Sequence, residues 1–484
     1  MMLSEDILYL SVHELGEQIR SRKISPVELT ESYLARLEKL GPKLGAVAKL
    51  TPDLALEQAR VAEKEIAAGH SRGPLHGIPY GAKDLLATRG IHTTWGAPPF
   101  KDQVFPFDAT VIQRLREAGA VLAAKLAMIE LAGGGGYNNG NASLQGPSRC
   151  PYNLEHWAGG SSSGPGAAVP SALVGFAIGS ETLGSIITPS AFSGVSGLRP
   201  TYGRVSRHGA MALSWTMDKL GPMCRSAVDC GLVLNAIAGH DPHDRTSRHE
   251  SFTWWPPSGS QSNDTKRAKP LAGKRLGVVR PDFHAPGGEE EIGAAFAAAC
   301  DALKSLGAKL EETELPDFPY AAVATTLYTA EAASIFRPFI ESGKVNELID
   351  DTQKAGLISV LSLPATDYLD AMRIRVQIQE SAAKLFEKYD ALAAPSRTTA
   401  APRLDVNFDA SPAPPPGAFD KWNIIGMSNV AGLPAISIPC GFTKEENLPA
   451  GIQFVADALR EDVCIECAIA YQAATEWHRK KPNV

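Results

Sequence analysis

Apolar positions near the amino terminus recur at helical spacing, with Leu29, Tyr33, Leu34, Leu37 and Leu40 on one face. The start of that helix is legible in the same stretch. Ser25 caps it, Pro26 suits the first helical position, Glu28 completes a capping box, and Ile24 with Leu29 forms a hydrophobic staple. Residues 1–75 are therefore expected to be a helical segment. From about residue 76 the pattern changes to short apolar runs bounded by Gly and Pro, alternating with longer helical stretches. The runs predict strands at 78–83, 120–125, 175–179, 276–279, 391–394, 435–439 and 452–455. Helices are predicted at 111–117, 163–173, 226–238, 291–306, 376–389 and 462–478. Strands so scattered, most of them separated by helix, imply an α/β fold with one large twisted mixed β-sheet covered by α-helices on both faces. The expectation is one domain over 1–484, with surface excursions at 241–270 and at the Pro-rich 402–417, the latter a candidate substrate lid.

Composition narrows the function. Hydrophobic residues make up 44% and charged residues 21%, a balance that supports a large core. The formal net charge of -6 excludes a basic surface for nucleic acid or anionic membrane, so a small, roughly neutral substrate is expected. Glu5, Asp6, Glu14, Glu17, Arg20, Arg22 and Lys23 suit neither a signal nor a transit peptide, and no run of apolar residues is long enough to span a bilayer. A cytoplasmic protein follows. The 7 cysteines are scattered, and Cys464 and Cys467 fall in an apolar helical pattern, so they are read as packing residues. The histidines show no H-E-x-x-H, so no metal and no cofactor are expected.

Gly and Ser are concentrated between Ala158 and Arg207. A phosphate-binding loop is excluded because Gly164 is followed by Pro165 and Gly166 rather than by Lys and Ser or Thr. A nucleophile elbow centred on Ser162 is excluded because the preceding residues, Pro151 to Trp157, do not read as a strand. The S-x-x-K at Ser381 to Lys384 lies on a helical surface without partner motifs. What remains is an ordered set of blocks: Gly77-Ile78-Pro79-Tyr80-Gly81-Ala82-Lys83-Asp84, Gly159-Gly160-Ser161-Ser162, Gly179-Ser180-Glu181-Thr182-Leu183-Gly184-Ser185-Ile186-Ile187, and Gly197 to Ser206. Met217 to Met223, Gly432 to Pro439 and Leu448 to Gln453 follow.

These blocks, in this order, resemble the amidase signature family, and the likeness runs from about residue 8 to 480. The resemblance implies a catalytic set of Lys83, Ser161 and Ser185, with Ser185 as nucleophile, Lys83 as base and Ser161 passing the proton between them. A serine hydroxyl needs a base within hydrogen-bond reach, and lysine serves only when burial keeps it neutral. The resemblance also implies a cis Gly160-Ser161 peptide, an oxyanion hole of backbone N–H groups at Thr182, Leu183, Gly184 and Ser185, and scaffold roles for Arg199 and Asp218. Ser162 and Ser163 are expected to be structural, through local hydrogen bonds, with Ser162 a supporting residue behind the catalytic set.

Three positions beside the nucleophile depart from the family's usual pattern: Glu181 for Asp, Leu183 for Gly and Ile187 for Arg. Ile187 argues for an uncharged acyl portion, and Gly133, Gly134, Gly135, Gly136 and Tyr137 align with a loop bordering the family's pocket and would leave room for a bulky group. The expected function is hydrolysis of neutral aryl or alkyl amides, with carbamates and esters accessible through the same acyl-enzyme, by a monomer or homodimer similar to a bacterial branch that includes urethanases. Two alternatives stand beside it. One is the glutaminase subunit of a tRNA-dependent amidotransferase, which needs a partner subunit; the other is a catalytically silent binding protein.

Overall fold

The computed structural model describes residues 2–256, 269–284, 288–408 and 420–484. Its core is an 11-stranded sheet. The strands are β1 (Val47–Leu50), β2 (Pro79–Lys83), β3 (Val121–Leu126), β4 (Phe176–Glu181), β5 (Ser196–Arg199), β6 (Lys219–Cys224), β7 (Arg275–Val278), β8 (Lys309–Glu312), β9 (Ala391–Pro395), β10 (Ala435–Phe442) and β11 (Pro449–Val455). They lie in the order β1-β3-β2-β4-β6-β5-β10-β11-β9-β7-β8. The sheet is mixed: β2 runs parallel to β3 and β4, and β7 to β8 and β9, while the remaining pairs are antiparallel. Strands β2, β3, β6, β9 and β11 are buried along their whole length, as strands covered on both faces must be. This is the α/β fold with one large mixed sheet that the sequence pattern predicts.

Local signals and structure agree where short-range chemistry decides. Helix Pro26–Leu44 begins with both halves of the Ser25/Glu28 capping box and ends at Gly45 in the left-handed region. Four strands escaped the hydrophobic pattern. β1 and β8 lie at the edges, where polar side chains are solvated, and β5 and β6 carry Gly and Pro among their few apolar residues. The helix expected over 163–173 stops at Ala168, and the one expected from 376 starts earlier, as Ala365–Lys388.

The two expected excursions are partly fastened down. Asp241 accepts hydrogen bonds from Thr110 and Ser206, and Asp244 pairs with Arg207, so the first part of the 241–270 segment is anchored; 257–268 lie outside the described residues. In the other, the Pro402 carbonyl accepts the Trp157 N–H at 2.9 Å and the Phe408 N–H donates to the Asn138 carbonyl at 2.7 Å. The rest of that expected lid, from 409, lies outside the described residues.

Candidate active site

Lys83 ends β2, between β3 and β4 in the middle of one half of the sheet, and is 0% exposed. Its amine meets three hydroxyls: Ser161 Oγ at 2.7 Å, Ser180 Oγ at 2.8 Å and Ser162 Oγ at 3.0 Å. Burial pushes the amine well below its ordinary value, outweighing the opposing pull of the Asp218 and Glu181 charges. A neutral amine has two N–H donors and one lone pair. Ser162 Oγ gives its proton to the Ser180 carbonyl at 3.1 Å, so toward Lys83 it can only accept. With a second N–H spent on Ser180, the lone pair is left for the Ser161 hydroxyl proton.

The Gly160–Ser161 peptide is cis. Its surroundings are crowded: the Ser161 carbonyl accepts the Ile129 N–H at 3.1 Å, and a side chain on Gly160 would meet the Trp157 ring. The Ser162 N–H donates to the Ser185 carbonyl at 3.3 Å, which holds the segment carrying Ser161 edge to edge with the turn carrying Ser185.

That turn joins β4 to helix Ile187–Ser193, and Glu181 organises it. The Glu181 carboxylate is wholly buried. Oε2 accepts the N–H groups of Ile186 and Ile187 at 2.7 and 2.9 Å, and Oε1 accepts from Arg199 and Asn429, each at 2.8 Å. Burial alone would raise its pKa; the Arg199 guanidinium beside it and these hydrogen bonds bring it down to about 2. With Ile186 and Ile187 so engaged, the preceding N–H groups of Leu183, Gly184 and Ser185 donate to no other described residue, and Gly184 takes φ +84 to present them. Asp218 braces the other side, accepting from Thr182 Oγ1 at 2.6 Å and from the N–H groups of Leu213 and Ser214 at 2.8 and 2.9 Å. Such a cluster, with a dehydrated amine, a hydroxyl in contact with it and unengaged N–H donors nearby, can deprotonate an alcohol and stabilise an oxyanion.

A family model described as Amidase matches residues 28–465. The chain belongs to the amidase signature family. It is thus a hydrolase acting on C–N bonds. Among this amidase's relatives, a glutamyl-tRNA(Gln) amidotransferase subunit from Moorella thermoacetica is 37% identical, over 99% of each chain. The peptide amidase of Stenotrophomonas maltophilia superposes with a TM-score of 0.81 at 29% identity over 98% of both chains. A bacterial aryl acylamidase shares the fold, with a TM-score of 0.84 at 24% identity, again over 98% of each.

The residues of the expected substrate wall of this amidase lie largely in packed surroundings. Ile187 is 0% exposed and packs in a core cluster with Met217, Leu327 and Met427; Leu183 packs against the same cluster. Around the glycines of 133–136 the space differs by position: a side chain on Gly134 would meet Leu213, whereas one on Gly136 would find only Thr352, at 3.7 Å. A Cβ on Gly135 would lie 2.2 Å from the Gln353 carbonyl oxygen and 2.8 Å from the Leu357 nitrogen, so the loop is pressed against helix Asp351–Ser359. Tyr137 packs edge-on to Trp157 and Phe408, behind Gly160. A cavity of about 170 Å³ lies beside the site, its lining mixing Ser180, Thr182, Arg207, His208, Asp218, His243 and Asp244 with Met211, Leu213, Trp215 and Leu220.

Sequence reasoning passed over Ser180. Its signal was a hydroxyl following the apolar run 176–179 on the strand next to the lysine strand. Cys464 and Cys467 are buried in helix Glu461–Thr475, and burial raises both thiols, Cys467 to about 12. Among the described residues, no group of His, Cys, Asp and Glu is arranged to hold a metal, and no helix is long and apolar enough to cross a membrane.

Proposed function

We propose that this amidase hydrolyses carboxamides through an acyl-enzyme on Ser185, with Lys83 as base and Ser161 as proton carrier. The observation that carries the reading is the fully buried Lys83 amine, 2.7 Å from Ser161 Oγ. As Ser185 Oγ bonds to the amide carbon, its proton passes to Ser161, whose own proton passes to Lys83. The oxyanion is held by the N–H groups of the Thr182–Ser185 turn. The C–N bond then breaks as the nitrogen takes the proton back through Ser161, which releases a neutral amine. Water repeats the sequence on the ester, freeing the acid and restoring Ser185. Removing one N–H donor from such a hole costs on the order of a hundredfold to a thousandfold in rate.

Two substrate readings each have their own support. The amidotransferase relative, 37% identical over the full length, favours the glutaminase reading, in which the released amine is ammonia and a partner subunit consumes it. The likeness to the peptide amidase of Stenotrophomonas maltophilia, 29% identical over 98% of both chains, favours the other reading, hydrolysis of neutral amides and carbamates by the chain alone. A fluorophosphonate probe should label Ser185 and no other serine, and Ser185→Ala should abolish hydrolysis. Persisting activity in that variant would overturn the reading. Glutamine hydrolysis that rises with tRNA and a partner protein selects the first substrate class; cleavage of an anilide by the chain alone selects the second.

A further inference from the structure

We infer that Glu331 is a positioning residue for the nucleophile turn, acting through the loop 213–218 and Asp218. The inference rests on the acyl-enzyme reading above. Glu331 sits on helix Tyr320–Ile335 and is 3% exposed. Its carboxylate takes four hydrogen bonds. Oε2 accepts from the Ser214 hydroxyl and from the Thr216 N–H at 3.1 Å; Oε1 accepts from the Thr216 hydroxyl at 2.9 Å and from Tyr368, on helix Ala365–Lys388, at 2.8 Å. Burying a carboxylate is costly unless such bonds meet its lone pairs. Three of these four donors lie in one loop, so the carboxylate fixes where that loop can sit.

The same loop braces the turn that carries Ser185. The N–H groups of Leu213 and Ser214 donate to Asp218 Oδ2 at 2.8 and 2.9 Å, and Thr182 Oγ1 donates to Asp218 Oδ1 at 2.6 Å. Ser214, 0% exposed, is thus held by both carboxylates, by Glu331 through its hydroxyl and by Asp218 through its N–H. A continuous path of hydrogen bonds runs from Glu331 through Ser214, Asp218 and Thr182 to the turn whose N–H groups hold the oxyanion. Without Glu331 the Ser214 hydroxyl and the Thr216 N–H lose their acceptor, and the loop must shift to reach another. Arg207 and Arg375 still hold the carbonyls of Trp215 and Thr216, at 2.6 and 2.7 Å, so the loop tilts rather than comes free. A misplacement of about 1 Å can cost about a hundredfold in rate.

The test is the second-order rate at which a fluorophosphonate probe labels Ser185, read apart from the final extent of labelling, which reports the folded fraction. Labelling draws on the same base and N–H groups as acylation, whatever the natural substrate. Glu331→Leu should reach the parental extent but at least about tenfold more slowly. Glu331→Gln should recover most of the lost rate, since its oxygen can take the Oε2 position while its NH2 donates to the Thr216 and Tyr368 hydroxyls. Thr182→Val cuts the path at its far end and should also slow labelling, and Glu331→Leu added to it should then cost less than about twofold more. If Glu331→Leu yields no labelled protein, Ser214→Ala decides in its place, because it removes the hydroxyl bond between the loop and Glu331. A parental rate in the deciding variant or in Thr182→Val overturns the inference, as does a Gln variant as slow as the Leu variant or a full Glu331→Leu effect on top of Thr182→Val; the acyl-enzyme reading survives each. A parent that is not labelled at Ser185 overturns both.

Discussion

Replacing Glu181 by Gln tests whether one buried carboxylate holds the nucleophile turn in place. Four donors converge on its two oxygens: Arg199 and Asn429 on one, the N–H groups of Ile186 and Ile187 on the other. Only a carboxylate can accept on both sides. The amide of Gln must turn its NH2 toward one pair, leaving two buried donors facing a third, and the Arg199 cation, itself 0% exposed, loses its counter-charge. Two routes give the size of the effect. Holding the carboxyl at about 2 rather than at its ordinary 4.5 corresponds to roughly 3 kcal/mol. Removing one partner of a buried ion pair costs about 3–5 kcal/mol. The two agree, and full burial means that solvent screening does not reduce them. Because the folded value lies below the unfolded one, this contribution is complete above about pH 5, shrinks as pH falls, and is gone near pH 2. Denaturant unfolding of parent and Glu181→Gln at pH 7 should differ by about 3–5 kcal/mol and converge as the pH is lowered toward the folded value. The variant should also lose kcat, since the turn bearing Ser185 loses its anchor. A variant within about 1 kcal/mol of the parent at pH 7 and with parental kcat would refute the reasoning.

The remaining predictions concern the base and the packing. Lys83→Ala should lower kcat/KM for amides at least about a hundredfold. In the parent, hydrolysis should fall as pH drops through the lowered pKa of Lys83, because the ammonium form cannot take a proton from Ser161; a pH–rate profile in which Lys83→Ala keeps that acidic limb would contradict this. Lys125→Met should destabilise the fold by about 3–5 kcal/mol, since the Lys125–Asp84 pair is 0% and 1% exposed and its loss strands the Asp84 carboxylate; equal denaturation midpoints would argue against it. Gly135→Ala should cost about 1–3 kcal/mol and loosen helix Asp351–Ser359, which faster amide exchange in that helix would report.

What the sequence determined by itself was everything that near neighbours along the chain decide, together with the family. The Ser25 capping box and most of the buried strands were legible because the hydrogen bonds and apolar runs involved span only a few residues. The order of the Gly/Ser blocks carried the family and singled out Lys83, Ser161 and Ser185 as the expected catalytic set. Tertiary structure alone decided which groups meet. Lys83 touches hydroxyls 78, 79 and 97 residues away, and Glu181 reaches Asn429 across 248. No local pattern encodes a contact made by packing strands side by side. Ile187 read as a pocket residue because its neighbour in sequence is a site, yet the first turn of a helix points it into the core. Residues 133–136 read as open space because glycine has no side chain; the fold uses that absence at Gly135 to bring two backbones together. A cavity is the shape left between elements far apart in the chain, so its place beside Ser180 had no sequence signature.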